Sequence, residues 1–131
     1  GHALLGIALM YSGRHRQALE SLAVAMRLDP LYPNILLHLA AQAHFSMGQD
    51  EIAAGHLVER IARNPNTDAS RMLLAASYGH LGRSDEAREA WAGLLQVNPK
   101  FSMQQREGVL PYKDARDFQR ILDGLAKAGL P

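Results

Sequence analysis

The 131-residue chain contains no cysteine, which excludes disulfide bonds and metal sites built from thiolates. Neither charge dominates, because 14 Lys and Arg accompany 13 Asp and Glu and leave a formal net charge of +1. We therefore expect no nucleic-acid partner. No apolar run approaches the roughly 20 residues that span a bilayer, and no signal peptide is present, so no membrane association is expected. These absences predict a cytoplasmic domain that holds its partners mainly by shape and apolar contact.

Signatures of catalysis and of metal binding are missing as well. The segment from Gly79 to Arg83 lacks the lysine and the preceding strand of a phosphate-binding loop. No two of the six histidines stand four residues apart, the spacing that places two imidazoles on one helix face. We expect no enzyme activity, no cofactor and no metal. The alternative is a small-ligand-binding or enzymatic domain, which would require a convergent polar pocket that the sequence does not show.

An internal period is the main positive feature of the chain. One glycine, one alanine and one proline position each occur three times along the chain, separated first by 35 residues and then by 34. The positions are Gly13, Gly48 and Gly82, then Ala18, Ala53 and Ala87, then Pro30, Pro65 and Pro99. A period of this length indicates one supersecondary unit that buries its apolar face against neighbouring copies. The one extra residue falls at positions 31–33, in a loop that can absorb it.

Each period is predicted to be a pair of helices. The glycine follows an apolar segment of helical periodicity and can adopt the left-handed conformation that ends a helix. The small alanine, five residues further on, lets the second helix approach the first closely. Asp50 and Glu51 are expected in the first turn of such a helix, where the helix dipole favours carboxylates. The proline then ends the second helix, because it lacks an amide donor.

These features resemble the tetratricopeptide repeat (TPR), which has small residues at its eighth and twentieth positions and proline at the thirty-second. The eighth position holds Gly6, Ala41 and Ala75. The usual alanine of the twenty-seventh position is replaced by Arg60 and Leu94, so we expect small packing differences there. The resemblance implies an all-α, right-handed α-solenoid. Its three helix-turn-helix pairs would occupy about 1–33, 34–67 and 68–100, with C-terminal capping helices in 101–131.

The tail after Pro99 is predicted to contain two helices. Ser102 and Gln105 have the spacing of a capping box, which predicts a short helix at 103–107. Asp114 is expected to cap a last helix that ends at Gly129. One apolar stripe follows this helix, formed by Phe118, Ile121, Leu122 and Leu125. We expect the stripe to seal the core of the last repeat, and the alternative is a detachable arm that binds a partner.

The amino-acid sequence of the tail resembles that of a particular group of proteins. Segments 98–102, 110–114 and 124–131 look like the carboxyl end of bacterial multidomain regulators that begin with a class III adenylate/guanylate cyclase domain, or with a winged-helix DNA-binding domain. The resemblance implies an interaction module of a larger signalling protein and transfers no catalytic residue. The chain begins at Gly1 without a methionine, so we expect it to be a piece of such a protein.

The inner surface of the array is the predicted binding site. In a TPR array it is lined by the first helix of each pair, and these positions are mostly apolar. They are Ile7, Met10, Tyr11, Ile35, His38, Gln42, Phe45, Ser46, Met72, Ala76, Gly79 and His80. One hypothesis is a groove for an extended peptide or a helix. The other is that the protein itself fills the surface, through upstream repeats or through a second copy in a homodimer.

Two further features narrow the choice of partner. Repeats that bind chaperone C-termini clamp a terminal carboxylate with lysine, arginine and asparagine, and the matching positions here hold none of them, which argues against that ligand. The basic cluster from Arg14 to Arg16 lies at a predicted helix start, where acids are preferred. We interpret it as a solvated surface, with contact to an anionic partner as the alternative.

Overall fold

The computed structural model describes Leu9 and residues 14–29, 31–103 and 115–130. Within these ranges the chain forms six α-helices and no strand. The helices are α1 (His15–Leu28), α2 (Ile35–Ser46), α3 (Asp50–Arg63), α4 (Asp68–His80), α5 (Ser84–Val97) and α6 (Ala115–Lys127). The predicted features that lie outside the described residues are Gly6, Ile7, Met10, Tyr11, Gly13, Pro30, Asp114 and positions 104–107 of the short helix.

The helices pack as a linear array. Each of α1 to α4 contacts the next helix in sequence, and α2 also contacts α4. The loop at 31–33 joins α1 to α2, as the one-residue insertion predicts. None of the helices in the described ranges is both long and apolar enough to cross a membrane.

Glycines end the first helix of the second and third pairs, as predicted. Gly48 and Gly82 adopt the left-handed region, with φ of 80° and 75°. In each case the following amide donates to a carbonyl five residues earlier. These hydrogen bonds run from Gln49 N to His44 O and from Arg83 N to Tyr78 O, both 2.9 Å long. The left-handed glycine therefore reverses the chain while the last carbonyls of the helix keep hydrogen-bond partners.

The second helices of these pairs begin and end as predicted. Asp50 and Glu51 occupy the first turn of α3, and Asp85 and Glu86 occupy that of α5. The two helices end one residue before the Asn-Pro dipeptides at 64–65 and 98–99. The repeated alanines, Ala18, Ala53 and Ala87, are fully buried at 0% exposure, so they permit the close helix approach that the period indicates.

The core extends along the array as two groups of buried side chains. One group joins α1 to α2 through Ala18, Leu22, Leu36, Leu39, Ala40 and Ala43. The larger group connects α2 to α5 around Leu57, Leu73 and Leu94. Trp91 belongs to it and meets Phe101 edge to face, with ring centroids 5.8 Å apart, which ties the start of the tail to the last repeat.

The last helix joins this larger core from the side of α4. Ile121, Leu125 and Ala128 are each 1% exposed, and α6 packs chiefly on α4. Gly129, with φ of 74°, follows the end of the helix as predicted. The apolar stripe therefore covers α4, the first helix of the last pair.

Candidate helix-binding surface

Helix α6 lies across the ends of several helices, with one polar or close contact to each repeat along its length. Near its start, Asp117 Oδ2 lies 3.6 Å from Nε2 of His15, the first residue of α1. One turn later, Arg120 reaches the junction of α2 and α3. Further on, Gly124 meets Gly79 near the end of α4. The helix is thus positioned by the whole array and not by the last pair alone.

The residues that receive α6 from α2, α3 and α4 are Phe45, Asp50, Ala76, Gly79 and His80. We call this set the α6 seat. All except Asp50 belong to the predicted inner surface. The seat therefore places the C-terminal helix over part of the surface that the sequence predicts to bind a partner.

Arg120 makes the central polar contact of the seat. Its Nη1 and Nη2 donate to the two carboxylate oxygens of Asp50 at 2.7 and 2.8 Å. Nη1 also donates to the carbonyl oxygen of Phe45 at 2.8 Å, and the guanidinium carbon lies 4.4 Å from the centre of the Phe45 ring. Asp50 is only 8% exposed, so the planar guanidinium pairs a buried carboxylate and satisfies a helix-terminal carbonyl together.

Two glycines let the backbones of α4 and α6 touch. A Cβ atom on Gly79 would collide with the carbonyl oxygen of Gly124, and one on Gly124 would collide with the carbonyl oxygen of Ala76. Any side chain larger than hydrogen at either position would push the two helices apart. The seat therefore accepts a helix only where that helix presents glycine.

His80 bonds α6 through both of its ring nitrogens. Nε2 lies 2.8 Å from the carbonyl oxygen of Arg120, and Nδ1 lies 3.3 Å from Nζ of Lys127. Because a carbonyl can only accept, Nε2 carries the proton, which leaves Nδ1 to accept from the ammonium. The ring also lies beside Phe45, with centroids 5.6 Å apart. His80 thus donates to the α6 backbone through one nitrogen and accepts from Lys127 through the other.

The other predicted lining residues differ in exposure. Met72 and Gln42 are buried at 2% and 5%, whereas Ile35 is 42% exposed. Ile35 lies at the start of α2, and the adjoining apolar residues Leu28 and Leu31 are 72% and 90% exposed. These three residues form an exposed apolar area at the α1–α2 loop, and Ile52 and Val58 of α3 are also about half exposed.

His38 lies in a buried polar network between α2 and α4. Its Nδ1 is 2.8 Å from Oγ of Ser70, which accepts a hydrogen bond from Nη1 of Arg60 at 2.6 Å. The same Nη1 donates to Oγ1 of Thr67 at 2.7 Å. Because the Ser70 oxygen accepts from Arg60, its single hydrogen is free to be donated to His38. His38 and His80 therefore have different partners, and neither bonds the other.

The network explains the departure from alanine at position 60. Arg60 is 8% exposed, and its Nε donates to Oδ1 of Asn34 at 3.3 Å, so its guanidinium joins four side chains, directly or through Ser70. Burial and the nearby Arg60 charge lower the pKa of His38 to about 4. Burial also lowers the pKa of Arg60. A neutral His38 beside a charged Arg60 is the arrangement that the hydrogen bonds require.

A second pair of neighbouring rings is formed by His44 of α2 and His56 of α3. The His44 and His56 rings are stacked with centroids 5.5 Å apart, and Nδ1 of His44 lies 2.6 Å from Oε1 of Gln49. His44 thus has a hydrogen-bonded packing role. No cluster of three or more metal-binding side chains occurs among the described residues.

A shallow cleft of about 360 Å³ lies between α3, α4 and α5. Its lining includes Val58, Ile61, Arg71, Leu74, Tyr78, Glu86, Glu89 and Ala90. Arg71 already donates to the Pro65 carbonyl oxygen at 3.1 and 3.3 Å, and Glu86 is paired with Arg83 at 2.7 Å. Two of the polar groups that could orient a small ligand therefore have partners within the protein.

No family model and no curated protein matches this chain. Solved structures do match. The first TPR domain of Spaghetti (RPAP3), bound to the HSP90 peptide SRMEEVD, has a TM-score of 0.72 at 18% identity, over 95% of this chain and 90% of that chain. The second TPR domain of human RPAP3, in complex with the HSP70 peptide SGPTIEEVD, has a TM-score of 0.73 at 15% identity, over 99% and 97%.

A third similar structure is that of MamA, with a TM-score of 0.73 and 23% identity over 97% of this chain and 74% of that chain. At identities this low the likeness establishes the fold and nothing further. The chain therefore has the tetratricopeptide-repeat fold, an all-α solenoid, as the sequence period predicts.

Proposed function

We propose that this chain is a non-catalytic protein-interaction module whose inner surface binds an amphipathic helix. The observation that supports the proposal is the seating of α6, which is an amphipathic helix, on Phe45, Ala76 and His80. Buried apolar residues, a paired carboxylate and a bare glycine backbone make that surface complementary to a helix. The cis contact of α6 then represents the kind of ligand that the surface accepts.

A helix is a better ligand for this surface than an acidic chaperone tail. The RPAP3 domains named above were solved with peptides that end in EEVD. The predicted lining positions of α2 and α4 contain no lysine or arginine to pair a terminal carboxylate. Asp50 in the α6 seat adds a buried negative charge. An acidic peptide would therefore lose its hydration without gaining a compensating cation.

The parent protein is proposed to be a bacterial regulator with an adenylate cyclase domain, or a winged-helix domain, ahead of this module. Support comes from the tail segments 98–102, 110–114 and 124–131. In such a protein, docking of two modules would bring two upstream domains together. A homodimer is thus one form of the proposed interaction.

The seat can be tested with the helix that it is seen to hold. The probe is a fluorescein-labelled synthetic peptide of residues 113–131, and the receptor is the full chain with Ile121→Asp, which releases its own α6. Fluorescence anisotropy should show saturable binding to the variant. Binding to the wild-type chain should be at least tenfold weaker, because the tethered α6 competes at an effective concentration on the order of millimolar.

A matched peptide provides the control. The same peptide with Gly124→Val should not bind, since the added side chain meets the α4 backbone. Absence of saturable binding to a variant with native helix content would refute a helix-binding surface. Saturable binding of a nucleotide or Zn²⁺ in calorimetry would instead support the alternative of a small-ligand domain.

A further inference from the structure

We propose that two copies of this chain exchange their α6 helices, so that the α6 seat of each copy holds the helix of the other. This inference rests on the proposed function and names the partner of the same surface. A second copy of the chain is the occupant because its helix has every feature that the seat recognises.

The first requirement of the seat is a guanidinium. Asp50 is 8% exposed and pairs with both terminal nitrogens of Arg120, at 2.7 and 2.8 Å. A lysine ammonium could not donate to both oxygens while lying over the Phe45 ring and donating to its carbonyl. The incoming helix must therefore present an arginine at this point.

The second requirement is a glycine one turn after the arginine. Gly124 lies against the α4 backbone, where any side chain would collide with the carbonyl of Ala76. Ile121 and Leu125, which follow the arginine and the glycine, are each 1% exposed. The recognised pattern is thus Arg-Ile-x-x-Gly-Leu. A second copy presents it with matched charge and shape.

All contacts of the seat can form between copies with unchanged geometry. They join α6 to residues of α2, α3 and α4 and use no atom of the connecting segment. That segment, residues 104–114, contains 11 residues, and an extended chain of this length reaches about 36–40 Å. Exchange therefore replaces one set of bonds with an identical set, and a reciprocal exchange forms a closed two-fold dimer.

Concentration determines which form dominates. The tethered helix experiences an effective concentration on the order of millimolar in its own seat. The closed monomer is therefore expected at micromolar concentration, and the exchanged dimer when two copies are held together or refold at millimolar concentration. Two such modules in neighbouring regulators would be held together, which favours the exchanged dimer.

The absence of cysteine allows a direct crosslinking test. One full-length chain bears His15→Cys and a second, enlarged by an affinity tag, bears Asp117→Cys, because these side chains lie 3.6 Å apart when α6 is seated. The two chains are refolded together from urea at about millimolar concentration, diluted and treated with a short bis-maleimide. Exchange should produce a covalent heterodimer whose yield rises with the refolding concentration.

The matched control moves the cysteine to the exposed side of α6. Gln119→Cys in place of Asp117→Cys should give at least fivefold less heterodimer, since residue 119 faces solvent. A yield from Asp117→Cys no greater than that from Gln119→Cys would overturn the exchange. If the peptide of residues 113–131 still bound the Ile121→Asp chain, the helix-binding function would stand while the exchange alone failed.

A double variant, with His15→Cys and Asp117→Cys in one chain, tests for the closed monomer in which α6 occupies its own seat. At micromolar concentration it should give an internally crosslinked monomer. The same variant refolded at millimolar concentration should shift toward crosslinked dimer. A product distribution independent of concentration would also count against the exchange.

Discussion

Arg120 and Asp50, 70 positions apart in the sequence, form a two-bond ion pair that fixes the last helix on the second repeat. The aspartate begins α3 and the arginine lies within α6. The repeat pattern predicts for Asp50 only a favourable interaction with the helix dipole, yet the carboxylate also accepts hydrogen bonds from a guanidinium. A residue of the repeat thus serves both the local helix and the docking of the tail.

Replacement of Arg120 by alanine should release α6 and leave Asp50 without its cation. We expect a loss of about 2–3 kcal/mol in the free energy of unfolding, below the range for a fully buried pair. The expected loss is smaller than that range because the Arg120 side chain is 24% exposed, and solvent weakens the ion pair. Urea denaturation followed by circular dichroism measures the loss. Arg120→Lys should recover less than half of it, because lysine cannot form the two-bond contact.

An exposed arginine gives the control for this experiment. The Arg88 side chain is 61% exposed and lies 3.6 Å from Asp85 in α5. Arg88→Ala should therefore change stability by about 0.5 kcal/mol or less. Equal effects of the two alanine variants would show that Arg120 does not hold the helix.

Alanine at position 124 should destabilise the protein although alanine favours helices. The new Cβ would meet the Ala76 carbonyl oxygen and lie 2.8 Å from Cδ2 of His80. Overpacking against backbone costs about 1–3 kcal/mol, and most of this range exceeds the roughly 1 kcal/mol gained in helix propensity. Thermal unfolding should show a lower Tm.

Gly55, at an exposed position in the middle of α3, is the matched control. A Cβ atom there would have no neighbour within 4 Å. Gly55→Ala should therefore stabilise the chain by about 0.5–1 kcal/mol. Opposite signs for the two glycine substitutions are expected. A stabilising Gly124→Ala would contradict the close approach of α4 and α6.

The repeat could be predicted because its signals are local. The left-handed glycines at 48 and 82, the alanine at 53 and the helix ends before Asn-Pro each depend on a few neighbouring residues. A period of 34 to 35 residues repeats these signals at the same place in each pair. In the second and third pairs, the ends of the helices therefore follow from local signals in the sequence.

The position of α6 could not be predicted in the same way. Its amphipathic stripe indicated a packed helix, but the pairing of Arg120 with Asp50 depends on contacts that span 70 residues. One local signal was available. A glycine inside an amphipathic helix is unfavourable by about 1 kcal/mol unless another backbone approaches it. Gly124 does lie at such a contact, but Gly55, inside α3, has no neighbour within 4 Å of an added Cβ, so a glycine within a helix does not by itself identify a contact.

Arg60 shows a second limit of pattern reasoning. Its place in the repeat usually holds alanine, so the sequence predicted only a small packing change. The structure buries the guanidinium against Thr67 and Ser70, with His38 completing the network. Which of these polar side chains face one another depends on the packing of α2 and α3 against α4, and spacing along the chain does not specify it.

The buried histidine should make stability depend on pH. Burial and Arg60 lower the pKa of His38 from 6.5 to about 4 in the folded protein. Between these values the unfolded chain binds more protons than the folded chain, so stability falls as the pH is lowered. The full shift corresponds to about 3 kcal/mol. His38→Asn retains an acceptor for the Ser70 hydroxyl and removes the titration.

Urea unfolding of both proteins between pH 7 and pH 4 measures this contribution. The wild-type chain should lose about 3 kcal/mol more than His38→Asn over that interval. The extra loss in the unfolding free energy of the wild-type chain should be present at pH 4 and vanish toward pH 7. Only a constant offset, the cost of the substitution itself, should then separate the two proteins. Parallel pH curves would show that His38 is not kept neutral by the fold.

Ile121→Asp should release α6 while the repeats remain folded. Ile121 is 1% exposed within the larger core, and a carboxylate cannot remain there without a partner. The other buried contacts of α2 to α5 do not depend on this residue. Hydrogen exchange measured by mass spectrometry should therefore show at least tenfold faster exchange in residues 115–127, with α3 protected as in the wild-type chain.

Gln119→Asp is the matched control, since Gln119 is exposed on the same helix. It introduces the same charge into α6 without entering the core, and exchange in residues 115–127 should stay near the wild-type rate. Faster exchange throughout α2 to α5 in Ile121→Asp would show that α6 is an inseparable part of the core. Local loss of protection confined to α6 would show that the seat can be vacated while the array stays folded, which a helix ligand requires.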